Sequence, residues 1–380
     1  MNIVQTSITY PPALGGLDRY VKETSEGLAK RGHHVVVVTT NLEQPLSRRT
    51  LTIPSSYKDL VEVHRLPTFR LPRLGFPFAP AMRSVIPQAV PEVIHAHCIL
   101  HSSAGYGWRA AKNAGVPFIL NTIFSPRTGW FWRWYLRWAK QVMREADCVI
   151  AISDFERELL VQAGLKREKV TILAPGVDLA PLRIPRTSIF PRYGIGLNRV
   201  IVSLSRLAYG KRVDRLIEAM PAILRKHPDV RLFIIGPDYG DEGRLRQITS
   251  SLQLDAFVTF AGPLSQDDVA AALQASSAFA MTSDFELFGI TLIEAMAAGT
   301  PVIAPNIASV PNVLRDCKTG LLYESRSSDD LAQKLNSVLT DDGLRLRLIA
   351  EGQHEAGTRF DFKKNLDSLE AIYSTALGLR

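Results

Sequence analysis

The sequence predicts an α/β protein of two doubly wound domains, and three observations carry that reading. At 380 residues the chain exceeds what one core organises comfortably, which favours two domains of roughly 150 to 200 residues each. Short apolar runs alternate with helical stripes along its length, the pattern of parallel sheets covered by helices on both faces. One stretch writes such a βαβ unit in full. Apolar runs at 278–281 and 301–304 bracket a helix of about three turns, with Gly299 able to stop it in the left-handed conformation and Pro301 barring its continuation.

From the N-terminus, residues 2–5 read as a strand. Leu17, Tyr20, Val21 and Leu28 read as the inward stripe of a helix that Gly32 stops, and residues 35–38 as a buried strand. The first loop contains Gly15 and Gly16 but no G-x-G-x-x-G, so a tight turn is its plain reading. Residues 41–91 read as irregular, with Pro67, Arg70, Pro72, Arg73, Pro77, Pro80 and Pro87 suggesting a mobile rim that faces an acceptor. The strand at 92–97 carries His95 and His97 on one side, because alternate residues share a face; polar packing is the plain reading. Further strands follow at 115–122, ending at Thr122, at 147–153 and from Lys169 to Asp178. The first domain then covers 1–180, and residues 181–198, broken by prolines and glycines, read as a linker.

The second domain, 199–355, opens with a strand at 200–205. Arg206 and Lys211 flank the turn into a helix whose inward residues are Val213, Leu216, Ile217 and Met220. Strands at 232–235 and 257–260, the latter closed by Gly262, continue the alternation, and helical patterns run from Ser328 to the end.

Composition narrows the function. With 46% hydrophobic and 22% charged residues the chain belongs to the globular class. Cys98, Cys148 and Cys317 lie far apart, which excludes a cysteine metal site and points to buried free thiols in a reducing, cytoplasmic setting. There is no basic leader with an apolar core, and no apolar run approaches the roughly 18 residues that span a bilayer. Residues 1–190 carry 24 Lys and Arg against 14 Asp and Glu, whereas residues 191–380 carry 21 against 23, so an anionic partner belongs to the first half. Within that half, residues 130–144 place Arg133, Arg137, Lys140 and Arg144 on one helical face beside Trp130, Trp132, Trp134 and Trp138. Such a helix suits either domain packing or peripheral contact with an anionic membrane surface. No recognisable nucleic-acid module accompanies it, so nucleic acid is not expected as a partner.

The chemistry concentrates between Ser283 and Pro305. Glu286 lies in the loop before the helix and Glu294 about a turn and a half inside it. Between them, the amides of Phe288, Gly289, Ile290 and Thr291 form a positively polarised helix start suited to a phosphate, with Gly289 permitting close approach. Two glutamates alone would be solvated surface residues, as would Arg206 and Lys211. The whole string is more specific: Glu286 and Glu294 around Phe288-Gly289, continued by Glu294-Ala-Met-Ala-Ala-Gly-Thr-Pro-Val-Ile-Ala, resembles the donor-site motif of retaining glycosyltransferases of the GT-B fold, family 4. Gly15-Gly16 with Arg31-Gly-His33-His-Val35, and the run ending Gly-Val-Asp178, match further parts of that family's pattern.

The resemblance implies two Rossmann-like domains facing each other across a cleft, with helices 356–380 packing back on the first domain. It implies glycosyl transfer from a nucleotide-diphosphate sugar to a glycan or lipid-linked acceptor, in cell-surface polysaccharide or glycolipid synthesis, with no metal or other cofactor. Arg206 and Lys211 would clamp the diphosphate, Glu286 would hold sugar hydroxyls, and Glu294 the ribose diol. Gly16 and residues 288–291 would complete the phosphate site, with Gly262 and Leu264 holding the base. Gly15, His95, His97 and Thr122 would face the acceptor and cleft. Two positions depart from the family: Ile123 and Phe124 stand where a histidine is usual, and Ala308-Ser-Val-Pro-Asn312 replaces Gly-Gly-x-Pro-Glu. These departures keep two rivals open, a catalytically silent relative serving as a binding or membrane scaffold, and a sugar-nucleotide epimerase.

Overall fold

Near-continuous β-branched runs such as Val35–Val38 are buried along their whole length, as strands covered on both faces require. The structure, a computed structural model, describes residues 1–13, 15–44, 49–52, 56–58, 60–70, 77–125, 130–196 and 199–378, the backbone alone at 56–58, 70 and 130–134. The chain divides into two units, 1–176 with 363–380, and 177–362.

In the first unit the elements run β1 (Asn2–Thr6), α1 (Gly16–Lys30), β2 (His34–Thr40), β3 (Ser56–Lys58), β4 (Val61–Leu66), β5 (Phe69–Arg70), β6 (Pro77–Phe78) and α2 (Met82–Gln88). There follow β7 (Val93–His97), α3 (Ser102–Ala114), β8 (Phe118–Asn121), α4 (Trp130–Glu145), β9 (Cys148–Ala151), α5 (Asp154–Gln162) and β10 (Val170–Ile172). The second unit contains α6 (Ala180–Arg183), β11 (Val200–Leu204), α7 (Val213–Leu224), β12 (Arg231–Ile235), α8 (Glu242–Ser251), β13 (Val258–Gly262), α9 (Gln266–Ala275) and β14 (Ala278–Ala280). It is completed by α10 (Ile290–Ala298), β15 (Val302–Pro305), α11 (Val310–Val313), β16 (Leu321–Tyr323), α12 (Ser328–Thr340) and α13 (Asp342–Arg359), after which α14 (Phe362–Ala376) belongs, from Lys363, to the first unit.

The first sheet has the order β10-β9-β8-β7-β1-β2-β4-β3, parallel except for β3. The second has the order β13-β12-β11-β14-β15-β16 and is wholly parallel. Each sheet is built outward in one direction and then in the other. The reversal falls between β1 and β7 in the first sheet and between β11 and β14 in the second, which is where open α/β sheets bind ligands, beyond the carboxyl ends of the strands.

Residues 41–91 correct the sequence reading, because the segment contains regular structure. Val61–Leu66 pairs in parallel with β2, Val61 and Val63 both buried, and Met82–Gln88 is a helix. The flanking prolines and arginines concealed the alternation of Val61 and Val63. Pro72 and Arg73 lie outside the described residues. In the segment read as a linker, Phe190 and Tyr193 pack edge-on against Phe233, at ring-centre distances of 5.2 and 4.8 Å. Arg186 N–H donates to the Gln274 side chain at 3.0 Å.

Candidate functional site

Three loops meet at the carboxyl ends of β11, β14 and β15. Lys211, after β11, makes an ion pair and hydrogen bond with Glu286, after β14. The Ser283 hydroxyl donates to the same carboxylate at 2.8 Å, which fixes its orientation. The backbones are joined too: Asp284 N–H donates to Gly210 C=O at 2.9 Å, and the Thr282 hydroxyl to Lys211 C=O at 2.8 Å. From the third loop, Ser309 donates to the Glu286 carbonyl through its hydroxyl at 2.8 Å and its amide at 3.3 Å.

Each loop also contains left-handed backbone, with Arg212 at φ +51°, Gly289 at +89° and Ala308 at +42°. For arginine and alanine that geometry is unfavourable and persists only where the surroundings enforce it. Arg212 is held by Asp214, whose oxygens accept at 3.1 and 2.9 Å, and lies 3.5 Å from Asp284. Buried Arg215 donates to Asp284 at 2.5 Å and to Thr282 C=O at 3.3 Å. These ion pairs, rather than conformational freedom, therefore hold Arg212 in the left-handed conformation at the N-cap of α7.

Gly289 is the N-cap of α10 and, lacking a side chain, provides no capping acceptor to the amides of the first turn. Ile290 and Thr291 open the helix, Phe288 is buried edge-on to Phe360 at 5.8 Å, and Glu294 is buried at 5% exposure. Gly299 ends the helix at φ +81°. Arg206 is exposed at the end of β11, with its guanidinium 5.0 Å from the Tyr239 ring centre. Its backbone is placed by Gly236, where φ is +142° and an added Cβ would lie 1.9 Å from Ser205 O. Gly262 ends β13, the edge strand two places from the reversal, and Leu264 follows it.

The structure thus unites Lys211, Glu286 and the start of α10, with Arg206 in the same β11–α7 connection as Lys211. Reading the sequence missed Ser283 and Ser309, whose contacts cross between loops. It also missed Gly236, for which a glycine directly after a β-branched strand was the available signal.

In the first unit, Gly15 is the N-cap of α1 and Gly16 its exposed first residue. A Cβ on Gly15 would lie 2.7 Å from Asp18 Oδ2, and Asp18 accepts from the Thr9 hydroxyl at 2.5 Å. His95, His97 and Thr122 are fully buried. His95 Nδ1 is joined to the Tyr373 hydroxyl at 2.7 Å, His97 Nε2 to Gln5 Oε1 at 3.1 Å, and the two imidazole centres are 4.2 Å apart. Burial holds the His95 pKa down at about 3 and lowers that of His97, so both rings stay neutral. The Thr122 hydroxyl is 2.6 Å from Glu156. Arg31 and His33 clasp α14: Arg31 reaches Asp367 at 2.7 Å and Glu370 at 2.6 Å, and His33 reaches Glu370 at 2.7 Å.

On α4, Arg137 and Arg144 are exposed and Lys140 is half-buried. Trp138 faces inward, where a Cβ on Gly105 would come within 2.3 Å of it. The side chains of Trp130, Trp132, Arg133 and Trp134 lie outside the described residues. Cysteine burial needs correction, since Cys98 is buried but Cys148 is half-buried and Cys317 exposed. Among the described residues no group of three or more His, Cys, Asp or Glu could hold a metal ion, and no helix is long and apolar enough to cross a membrane.

Comparison with known proteins meets this geometry. Residues 14–181 match the family described as Glycosyltransferase Family 4, and residues 186–355 match Glycosyl transferases group 1. A D-inositol 3-phosphate glycosyltransferase of Stackebrandtia nassauensis is 28% identical over 96% of this chain and 88% of its own. A glycogen synthase of Mycobacterium tuberculosis is 27% identical over 99% and 95%. Among solved structures, Anabaena HepE in complex with UDP superposes with a TM-score of 0.81 at 24% identity, covering 99% of this chain and 100% of that one. Sucrose-phosphate synthase from Thermosynechococcus elongatus gives 0.82 at 21%, covering 100% and 99%. At those identities the superpositions speak for the fold, two Rossmann-like domains of the GT-B type. Together the two family matches and the site at the β11/β14 reversal identify the chain as a member of the group 1 glycosyltransferases of the GT-B fold.

Proposed function

We propose that this glycosyltransferase moves a hexosyl unit, with retention of anomeric configuration, from a nucleotide-diphosphate sugar to a glycan or lipid-linked acceptor. Cell-surface polysaccharide or glycolipid synthesis is the process such a reaction serves. One observation carries the reading: Lys211 and Glu286, joined beside an N-cap that has no side chain, stand at the reversal point of a parallel sheet. Cation, amide dipoles and carboxylate are what a diphosphate attached to a sugar requires.

The chemical difficulty is the departure of a nucleotide diphosphate from the anomeric carbon. Lys211 supplies a point charge and Arg206 a planar fork for phosphate oxygens, while the amides of Gly289, Ile290 and Thr291 add fixed dipoles. Charge placed in advance where charge develops is the largest single contribution to most such reactions. A diphosphate arriving at Lys211 competes with the Glu286 carboxylate for the ammonium. Glu286 is then released towards the hydroxyls of the sugar, with Ser283 keeping it oriented. Glu294 takes the ribose diol, and Gly262 and Leu264 border the base. With retention, the leaving phosphate accepts the acceptor's proton on the face it departs from, so no histidine at Ile123 or Phe124 is needed. The cationic role falls to Arg206 and Lys211 rather than to a metal, and turnover should survive EDTA.

The acceptor belongs to the more basic first unit, with Gly15 and Gly16 at its β1 loop. Exposed Arg137 and Arg144 support peripheral contact of α4 with anionic lipid on the cytoplasmic face. Co-sedimentation with anionic vesicles at low salt, lost at high salt, tests that contact. The transferase reading is tested by UDP-, GDP- and ADP-glucose crossed with D-inositol 3-phosphate, maltose and octyl β-D-glucoside. We expect one base to be strongly preferred and a glycosylated product to form. Free rearranged sugar nucleotide without an acceptor would instead indicate epimerase chemistry.

A further inference from the structure

The cations around the β11–α7 connection are neutralised by carboxylates: Lys211 pairs with Glu286, Arg212 with Asp214, Arg215 with Asp284, and Arg244 with Asp241. Arg206 is held differently. Its guanidinium lies over the ring of Tyr239, in the loop between β12 and α8, 5.0 Å from the ring centre. An aromatic face attracts a cation without cancelling its charge.

This pairing is built on backbone. Leu207 N–H donates to Pro237 C=O and Tyr239 N–H to Leu207 C=O, both at 2.9 Å, so the residue after Arg206 is bonded on both sides to the loop that carries the ring. Before it, Gly236 permits the close passage of that loop over Ser205, where a Cβ would lie 1.9 Å from the carbonyl oxygen. After it, Asp238 Oδ1 accepts from the amides of Gly240, Asp241 and Glu242 at 2.8, 3.1 and 3.1 Å, which closes the loop into the start of α8. Tyr239 is half-buried and Arg206 exposed. The ring is therefore the fixed partner and the guanidinium the guided one.

The choice of partner decides what the arginine can still bind. A carboxylate would take up N–H donors of the guanidinium and neutralise it, as Asp214 does for Arg212 through two bonds at 3.1 and 2.9 Å. A ring supplies no lone-pair acceptor and no negative charge, so the planar fork keeps both for phosphate oxygens. A long side chain also loses rotamer freedom when it meets a ligand, and a surface that already confines it lowers that cost.

We propose that Tyr239 is a positioning residue that holds the Arg206 guanidinium in place, at full charge, for the diphosphate of the donor. The inference rests on the donor reading above, in which Arg206 meets phosphate. Its signal is nucleotide affinity that depends on the ring only while Arg206 is present.

The test is calorimetric titration of the full chain with whichever of UDP, GDP and ADP binds most tightly. Tyr239→Ala should weaken binding about threefold to tenfold, the scale of one contact between a cation and a ring. Tyr239→Phe, which keeps the ring face, should stay within about twofold of the wild type. A merely structural ring would act whether or not Arg206 is there, so the deciding arm is a double-mutant cycle: in an Arg206→Ala background, Tyr239→Ala should cause no further loss. If Tyr239→Ala does not fold, Tyr239→Leu, which keeps apolar bulk without an aromatic face, takes its place. Wild-type affinity in the ring-less variant, an equal loss in Tyr239→Phe, or the same loss in both backgrounds would overturn the proposal and leave the donor reading standing. Affinity untouched by Arg206→Ala, or no binding of any of the three nucleotides, would instead remove the reading on which it rests.

Discussion

At the reversal point of the second sheet, Lys211 and Glu286 sit in loops and keep 22% and 14% of their side chains exposed. At that of the first sheet, Gln5, His95, His97 and Asn121 sit within the strands and are fully buried. The topology is the same and the chemistry differs. A strand of a doubly covered parallel sheet has no wet face, so a polar residue there joins a buried network, and only residues past its carboxyl end can meet a ligand. Polar identity alone therefore does not mark a site. The step from strand to loop does.

The largest effect expected from this contrast belongs to Lys211. Lys211→Ala should lower kcat by about a hundredfold to a thousandfold, as removal of a preorganised charge does, with little change in the melting temperature. Steady-state kinetics beside a thermal melt would check it. Next is Gly236, which has no polar atom in its side chain yet sets the backbone before Arg206. Gly236→Ala should destabilise the second unit by about 3 kcal/mol or more, because the new Cβ has nowhere to go and φ is wrong for alanine. Urea denaturation would measure the loss.

The buried histidines should report through pH instead of catalysis. The folded pKa of His95, about 3, lies below its ordinary 6.5 because burial disfavours the imidazolium. Its stabilising contribution is fully present above pH 6.5 and is lost as pH falls towards the folded value. At pH 5 that amounts to about 2 kcal/mol from this residue, and His95→Gln should flatten the difference between urea melts at pH 8 and pH 5. The smallest effect is at Ala308, which holds φ +42°. Ala308→Gly should stabilise the protein by about 0.5–1 kcal/mol, since glycine takes that conformation without strain, and calorimetric melting would detect it.

The contrast also explains what could be read from the sequence. The βαβ unit around Glu286 and Glu294 was legible because its punctuation is local: the apolar runs, Gly289 at the start of α10 and Gly299 at its end each declare themselves within a few residues. The side-by-side placement of His95 and His97 followed from strand alternation. Their burial did not, because it depends on Tyr373, 278 residues from His95 along the chain. Ser283 and Ser309 were invisible as site residues for the same reason. Arg212 and Ala308 escaped notice because left-handed backbone is expected at glycine, and here the surrounding ion pairs and loop contacts impose it on other residues. Strand β4 was hidden by the prolines and arginines around it.

The central claim is that a nucleoside diphosphate is captured at the β11/β14 reversal by Arg206, Lys211 and the start of α10. Calorimetric titration of UDP and UDP-glucose into the wild type and into a folded Arg206→Ala/Lys211→Ala double variant tests it most directly. The account predicts binding at least about a hundredfold weaker in the variant, the scale of losing two charge-assisted contacts to phosphate. Equal affinity in the two proteins would contradict it.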